Sequence, residues 1–269
     1  MSSESPQTKR THRARTSDGV SIEFDDQGAG LPLLLVHGLG DSRELWSALV
    51  ARWCTRFRCV ALDLRGHGAS ETAADYDPFA LHRDLHAVVR ELGLDQPLLI
   101  GHSLGGFAVS TYAARYPARG VINVDQPLEL SALASSVREL AAQLRSGPAD
   151  AVLFQVLASI GLGALEPDVV EQLRRTRRRL PAEVVPGVWK PLLENDTASI
   201  DRLVTAAISG TTAPYLALHG AQTPPGYASW LRARIAHARI ETWSGAGHFP
   251  HLVDPERFTA LVSTFAQVI

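Results

Sequence analysis

Short apolar runs alternate along this chain with longer stretches of helical spacing. Strand-sized runs fall at residues 20–25, 33–36, 58–62, 97–101, 120–124, 215–218 and 239–242, and residues 33–36 are apolar throughout, as a buried strand requires. The run at 20–25 ends in Gln27-Gly28-Ala29-Gly30 and is expected as an early antiparallel strand closed by a turn. Helical spacing lies between the runs. Residues 43–52 put Leu45, Trp46, Leu49 and Val50 on one face, and 78–92 open on Pro78 and stop at Gly93. Residues 104–116 stop before Pro117, and 225–235 and 255–268 close the chain, the last opened by Asp254-Pro255. Such alternation predicts an α/β protein with a mostly parallel sheet and crossover helices.

The alternation breaks once. Between Asp125 and Tyr215 the spacing is helical throughout, at 130–144, 149–160, 167–179 and 200–208. An insert of this size is expected to lie over the C-terminal edge of the strands, where ligands bind, as a lid. The expected organisation is a polar N-terminal tail at 1–16, a core at 17–126 and 213–269, and a helical lid at 127–212. The lid contains the sharpest charge cluster, Arg174, Arg175, Arg177, Arg178 and Arg179, expected to be a solvated helix face.

Composition adds exclusions. A chain of 269 residues with 45% hydrophobic and 20% charged residues buries a sizeable core, so its body is not disordered. The net charge of -2 favours neither nucleic acid nor an anionic membrane as partner. The N-terminal stretch lacks the apolar centre of a secretory signal, and no run reaches the roughly 18 residues that span a bilayer, so a cytoplasmic protein is expected. Cys54 and Cys59 fit neither a disulfide framework nor a metal pattern and read as thiols in a reducing compartment. No metal or organic cofactor signature is present, and a monomer or homodimer is expected.

The chemistry centres on Gly101-His102-Ser103-Leu104-Gly105, set between an apolar strand and a helix. A serine on so sharp a turn is strained, and flanking glycines give the turn room. Its hydroxyl then stands at a helix N-terminus, where developing negative charge is favoured. A second Gly-rich loop, His37-Gly38-Leu39-Gly40, follows the buried strand at 33–36. Leu39 and Leu104 are the candidate backbone N–H donors of an oxyanion hole. Asp63-Leu64-Arg65-Gly66-His67-Gly68-Ala69-Ser70 completes the pattern. From about Ser17 onward the chain resembles the α/β-hydrolase fold, whose members build an eight-stranded sheet with a lid inserted after the sixth strand. The resemblance implies a structural turn at Asp63 and Arg65, and a catalytic His in Gly245-Ala246-Gly247-His248-Phe249-Pro250. His251 is expected to pack at the helix entry, and His37 and His102 to be structural or to line the pocket. His12, His82, His86 and His237 read as surface or helix residues.

The acid is where the chain departs from many relatives, which carry it after the seventh strand. Here that segment reads Leu218-His219-Gly220-Ala221-Gln222-Thr223-Pro224, and no carboxylate lies between Asp201 and Glu241. Asp125 ends the strand at 120–124 and keeps the chain order nucleophile, acid, base. Some haloalkane dehalogenases, pancreatic-type lipases and fungal zearalenone lactonases are similar in placing the acid there. An Asp at a strand end can also simply cap a turn, and Glu129 competes if the strand is shifted by a few residues.

The expectation is a serine hydrolase of the esterase or lactonase type acting on a small-molecule ester or lactone. Phe154, Trp189 and Gln222 are expected to line a pocket suited to a moderately large hydrophobic substrate. The segments 220–224 and 248–250 are similar to stretches of zearalenone lactonases. Rival readings are a carbon–carbon bond hydrolase, a cofactor-free perhydrolase, and a ligand receptor with little turnover.

Overall fold

The computed structural model describes residues 8–177 and 180–269. Eight strands form one sheet: β1 (Arg10–Arg15), β2 (Ser21–Gln27), β3 (Leu31–Val36), β4 (Phe57–Leu62), β5 (Leu98–His102), β6 (Gly120–Val124), β7 (Tyr215–His219) and β8 (Arg239–Thr242). Their spatial order is β1-β2-β4-β3-β5-β6-β7-β8, antiparallel at β1/β2 and β2/β4 and parallel from there on. The central strands are apolar because helices cover both sheet faces. Along β3 the period of two is visible: Leu34 and Val36 enter one core, Leu33 and Leu35 the other.

Residues 10–15 correct the expected tail at 1–16, of which residues 1–7 lie outside the described residues. Arg10–Arg15 is an edge strand whose only buried residue is Ala14, so it shows no apolar period. Its cross-strand partners are charged instead: Arg13 Nη2 lies 3.0 Å from Glu23 Oε2 and Lys9 Nζ 3.0 Å from Asp25 Oδ2. Charged side chains on an edge also discourage pairing with another chain.

Among the described residues six helices come between β6 and β7, Ser131–Glu139, Ala141–Ser146, Ala149–Ile160, Pro167–Arg177, Val184–Glu194 and Thr197–Ile208. Val184–Glu194 has no counterpart in the expected set, because Pro186 and Pro191 interrupt its spacing. In the arginine cluster, Arg178 and Arg179 lie outside the described residues, while Arg174 and Arg175 are exposed. Cys54 and Cys59 are both free, and burial pushes the Cys59 thiol up to about 12, which keeps it unreactive. Among the described residues no helix is long and apolar enough to cross a membrane.

Candidate active site

The end of β5 turns directly into the helix Leu104–Ala113, and Ser103 between them adopts φ 51° and ψ −122°. A non-Gly residue holds such a conformation only where its surroundings enforce it. The flanking glycines are required by close approach. A Cβ on Gly101 would strike the Gly105 carbonyl oxygen, and one on Gly105 would strike that of Val36. Leu104 opens the helix, so its N–H has no acceptor one turn back. Leu39 lies beside it across the same cavity.

Two buried histidines brace the Leu39 loop. Leu64 N–H donates to His37 Nε2 at 3.0 Å, and His37 Nδ1 lies 2.7 Å from the Gly38 carbonyl. Gly40 N–H donates to His67 Nε2 at 3.0 Å, and His67 Nδ1 lies 2.9 Å from the Arg65 carbonyl. Both rings therefore carry the proton on Nδ1 and are neutral. Burial is the main cause that brings His37 down to about 4 and His67 down to about 3. His37 thus holds backbone and does not line the cavity. His67 received no role from the sequence, since only the fold brings residue 67 to residue 40. Asp63 and Arg65 are structural, as the resemblance implied. Asp63 accepts the Arg43 and Ala69 N–H groups, and Arg65 is held by Asp84 and Asp18.

The other half of the site comes from β6 and from the loop after β8. His248 Nδ1–H donates to Asp125 Oδ2 at 2.7 Å. Asp125 has φ 52°, its N–H donates to Leu218 O at 2.7 Å, and its Oδ1 accepts Gly220 N–H at 2.8 Å. Burial pushes this carboxyl's pKa up, but the hydrogen bonds from His248 and Gly220 outweigh it. The net shift is downward, which keeps it ionised at neutral pH. Glu129, the competitor, lines the same cavity but accepts Ser131 N–H at 3.1 Å, away from His248. Beyond β7, Gln222 Nε2 donates to Ser244 Oγ at 3.0 Å, and Thr223 stands next to it on the cavity wall.

His102 lies outside the cavity wall, a correction to its reading as a possible pocket residue. Its ring passes under the site, where Nε2–H donates to the His248 carbonyl at 2.8 Å and so pins the histidine loop. His251 is fully buried against Trp46, Phe258 and His102, the packing role expected for it. Among the described residues no hydrogen bond joins Ser103 Oγ to His248 Nε2, although both residues line the cavity. Free enzymes often hold this contact open and tighten it around substrate.

The cavity measures about 350 Å³ and lies between the sheet edge and the helical insert. Leu153, Val156, Leu157 and Ile160 face it from the helix Ala149–Ile160, at the i, i+3, i+4, i+7 spacing of one stripe. Phe154 falls off that stripe and does not line the cavity; its ring packs 5.5 Å from the Arg174 guanidinium. Trp189 and Gln222 do line it. Among the described residues no group of three or more His, Cys, Asp or Glu side chains is placed to hold a metal ion.

Comparison with known proteins agrees with this architecture. The chain is 26% identical to a 2-(acetamidomethylene)succinate hydrolase of Mesorhizobium japonicum, covering 91% of each chain. It is 27% identical to a pimeloyl-[acyl-carrier protein] methyl ester esterase of Yersinia pseudotuberculosis, covering 87% of this chain and 93% of that protein. Among solved structures, a thermophilic esterase from Thermogutta terrifontis superposes with a TM-score of 0.73 at 27% identity, covering 96% of this chain and 98% of that one. Matched over residues 33–261 by the family model for the alpha/beta hydrolase family, the chain belongs to that family and is, at that level of description, a hydrolase.

Proposed function

We propose that the protein is a serine hydrolase cleaving carboxylic esters or lactones of uncharged, moderately large, hydrophobic substrates through an acyl-enzyme on Ser103. The observation that carries this reading is the 2.7 Å contact between His248 Nδ1 and Asp125 Oδ2 in the cavity that Ser103 lines. A serine hydroxyl is a poor nucleophile until a base accepts its proton. With Nδ1–H fixed on Asp125, the lone pair of His248 is on Nε2, where it takes the Ser103 proton as Oγ attacks the carbonyl. Asp125 stabilises the imidazolium that results. Negative charge on the carbonyl oxygen is received by the Leu39 and Leu104 N–H groups, each such donor contributing roughly 10²–10³ in rate. His248 then protonates the leaving oxygen and activates water to release the acid.

Charge on the cavity wall narrows the substrate class. Asp125 and Glu129 line it, and none of its described residues is Lys or Arg. A dicarboxylate, such as the substrate named for the Mesorhizobium relative, would meet the carboxylates of Asp125 and Glu129 on this wall. Most of the rest of the wall is apolar, with Leu130, Leu133, Leu192 and Trp189 from the insert. A neutral acyl chain is thereby favoured.

A fluorophosphonate probe tests the nucleophile. Rapid labelling of the wild-type protein at neutral pH is expected, with none in Ser103→Ala; a wild-type protein that resists the probe overturns the reading. On matched esters, kcat/KM for a neutral hexanoate is expected to exceed that for the corresponding half-ester of a dicarboxylic acid by at least about 100-fold. Adding diketones and peroxide to the same panel separates carbon–carbon bond cleavage and perhydrolysis from ester hydrolysis.

A further inference from the structure

Most polar side chains on the cavity wall are already engaged. Gln222 donates to Ser244, Ser136 and Ser159 donate to carbonyls of their own helix turns, and Glu129 accepts Ser131 N–H. Of the buried side-chain nitrogens on the described wall, those without a hydrogen bond belong to two residues. One is Nε2 of His248, used by the chemistry above. The others are both ring nitrogens of His219, at the end of β7 and only 1% exposed.

An imidazole buried without partners costs roughly 1–3 kcal/mol relative to one that is satisfied. The closest charge to this one, Asp125 Oδ1, lies 3.9 Å from His219 Nδ1, beyond hydrogen-bond range. Burial, only partly opposed by that carboxylate, holds the ring below its ordinary pKa and so neutral at pH 7. A neutral imidazole offers one N–H donor and one lone pair. The ring is also held in place. Tyr227 meets it edge-on, with centroids 5.3 Å apart at 85°, and the Tyr227 hydroxyl is itself fixed by Leu128 N–H at 3.2 Å. A rigid, unspent polar group on an apolar wall is how binding sites fix the orientation of a ligand.

We propose that His219 is a specificity-determining residue that hydrogen-bonds a keto or hydroxyl oxygen of the substrate near the reacting carbonyl. The preferred substrates are then oxygen-bearing acyl compounds, oxo- or hydroxy-acyl esters and their lactones, over plain alkyl esters. This rests on the hydrolase reading of the cavity and adds the chemical class to it.

The test compares p-nitrophenyl hexanoate with its 3-, 4- and 5-oxo and hydroxy derivatives. It reads the ratio of kcat/KM, substituted over plain, within each protein, so that any common loss of activity cancels. In the wild-type enzyme one position is expected to show a ratio of about 10 to 100, the worth of one well-placed hydrogen bond. His219→Leu brings that ratio to about 1, and His219→Gln, which keeps a donor and an acceptor, restores part of it. The midpoint of thermal unfolding of His219→Leu is expected at or above that of wild type, because an unsatisfied buried group is removed. Calorimetric binding of the inert amides of the same acids is expected to show the same preference and the same loss in His219→Leu. An oxo or hydroxy preference absent from the wild type, or one that survives in His219→Leu, overturns the proposal. So does a lowered unfolding midpoint with an unchanged ratio, which would make the ring structural. If the amides show the preference and its loss while probe labelling and turnover fail, the hydrolase reading falls and the His219 contact stands.

Discussion

At the scale of single residues the site turns on Asp125, whose two oxygens serve two donors: His248 Nδ1–H and Gly220 N–H. An asparagine has one acceptor oxygen. In Asp125→Asn the amide keeps Gly220 by turning its NH₂ toward the imidazole, which then must carry its proton on Nε2, where it cannot accept one from Ser103. Turnover is expected to fall on the order of 10⁴-fold, as with loss of the acid in other triads, with probe labelling by Ser103 slowed in parallel. Glu129→Gln is expected to stay within about threefold, since Glu129 serves the backbone of the next helix. Reversal of these two results would place the anionic partner of His248 on the wrong residue. The pairing of Asp125 with His248 could be anticipated from the sequence because the stretch after β7 holds no carboxylate and the chain order left one strand-end aspartate. Its positive φ and its second bond to Gly220 could not, because they depend on the pairing of β6 with β7. The pocket residues divided for a similar reason. His102 adjoins a cavity residue in sequence and His37 lies two positions from one, but their side chains run into the loops behind the site, and sequence proximity does not reveal that direction.

At the scale of elements, the insert and the histidine loop meet backbone to backbone. His248 N–H donates to Gly161 O at 2.7 Å, at the C-terminal end of the helix Ala149–Ile160. Gly161 and Gly163 both have positive φ, 90° and 74°, so either would be strained by a side chain. They differ in space. A Cβ on Gly161 meets nothing within 4 Å, whereas one on Gly163 would strike the Ala246 carbonyl oxygen. Gly161→Ala is therefore expected to cost about 1 kcal/mol of stability with little change in kcat. Gly163→Ala has to push the two loops apart and is expected to lower kcat by at least about tenfold. Equal kcat values for the two variants in a steady-state ester assay would show that the insert does not position His248. The insert's existence was legible, because a long helical stretch without strands interrupts a regular alternation. Its contact with the histidine loop was not, nor was the helix Val184–Glu194, whose prolines hide its period. Edge strand β1 was missed because its solvated face and its charge pairs carry no apolar signal.

At the scale of the whole molecule, buried neutral histidines set the response to acid. His37, His67 and His251 are almost wholly buried, and burial brings them to about 4, about 3 and about 3. In the unfolded chain each titrates near 6.5. Between about pH 6.5 and 4 the unfolded chain therefore binds protons that the native protein refuses, so stability rises with pH across this window and is lost on acidification. Each histidine contributes a slope of up to about 1.4 kcal/mol per pH unit, and the three together up to about 4. Asp18 and Asp125 have lowered pKa values, so their contribution is present above about pH 4 and is lost below it. The histidines thus govern the milder range. The midpoint of thermal unfolding is therefore expected to be lower at pH 5 than at pH 7. His251 offers a test of this effect by unfolding. Its ring packs against Trp46 and Phe258, and neither of its nitrogens has a hydrogen-bond partner among the described residues. In His251→Phe the packing surface stays and the proton site goes. Thermal unfolding of this variant between pH 8 and 4.5 is expected to show a shallower slope than wild type, with its largest gain over wild type at the acid end. A wild-type midpoint that stays level from pH 7 to pH 5 would mean that these rings take up protons without unfolding the chain.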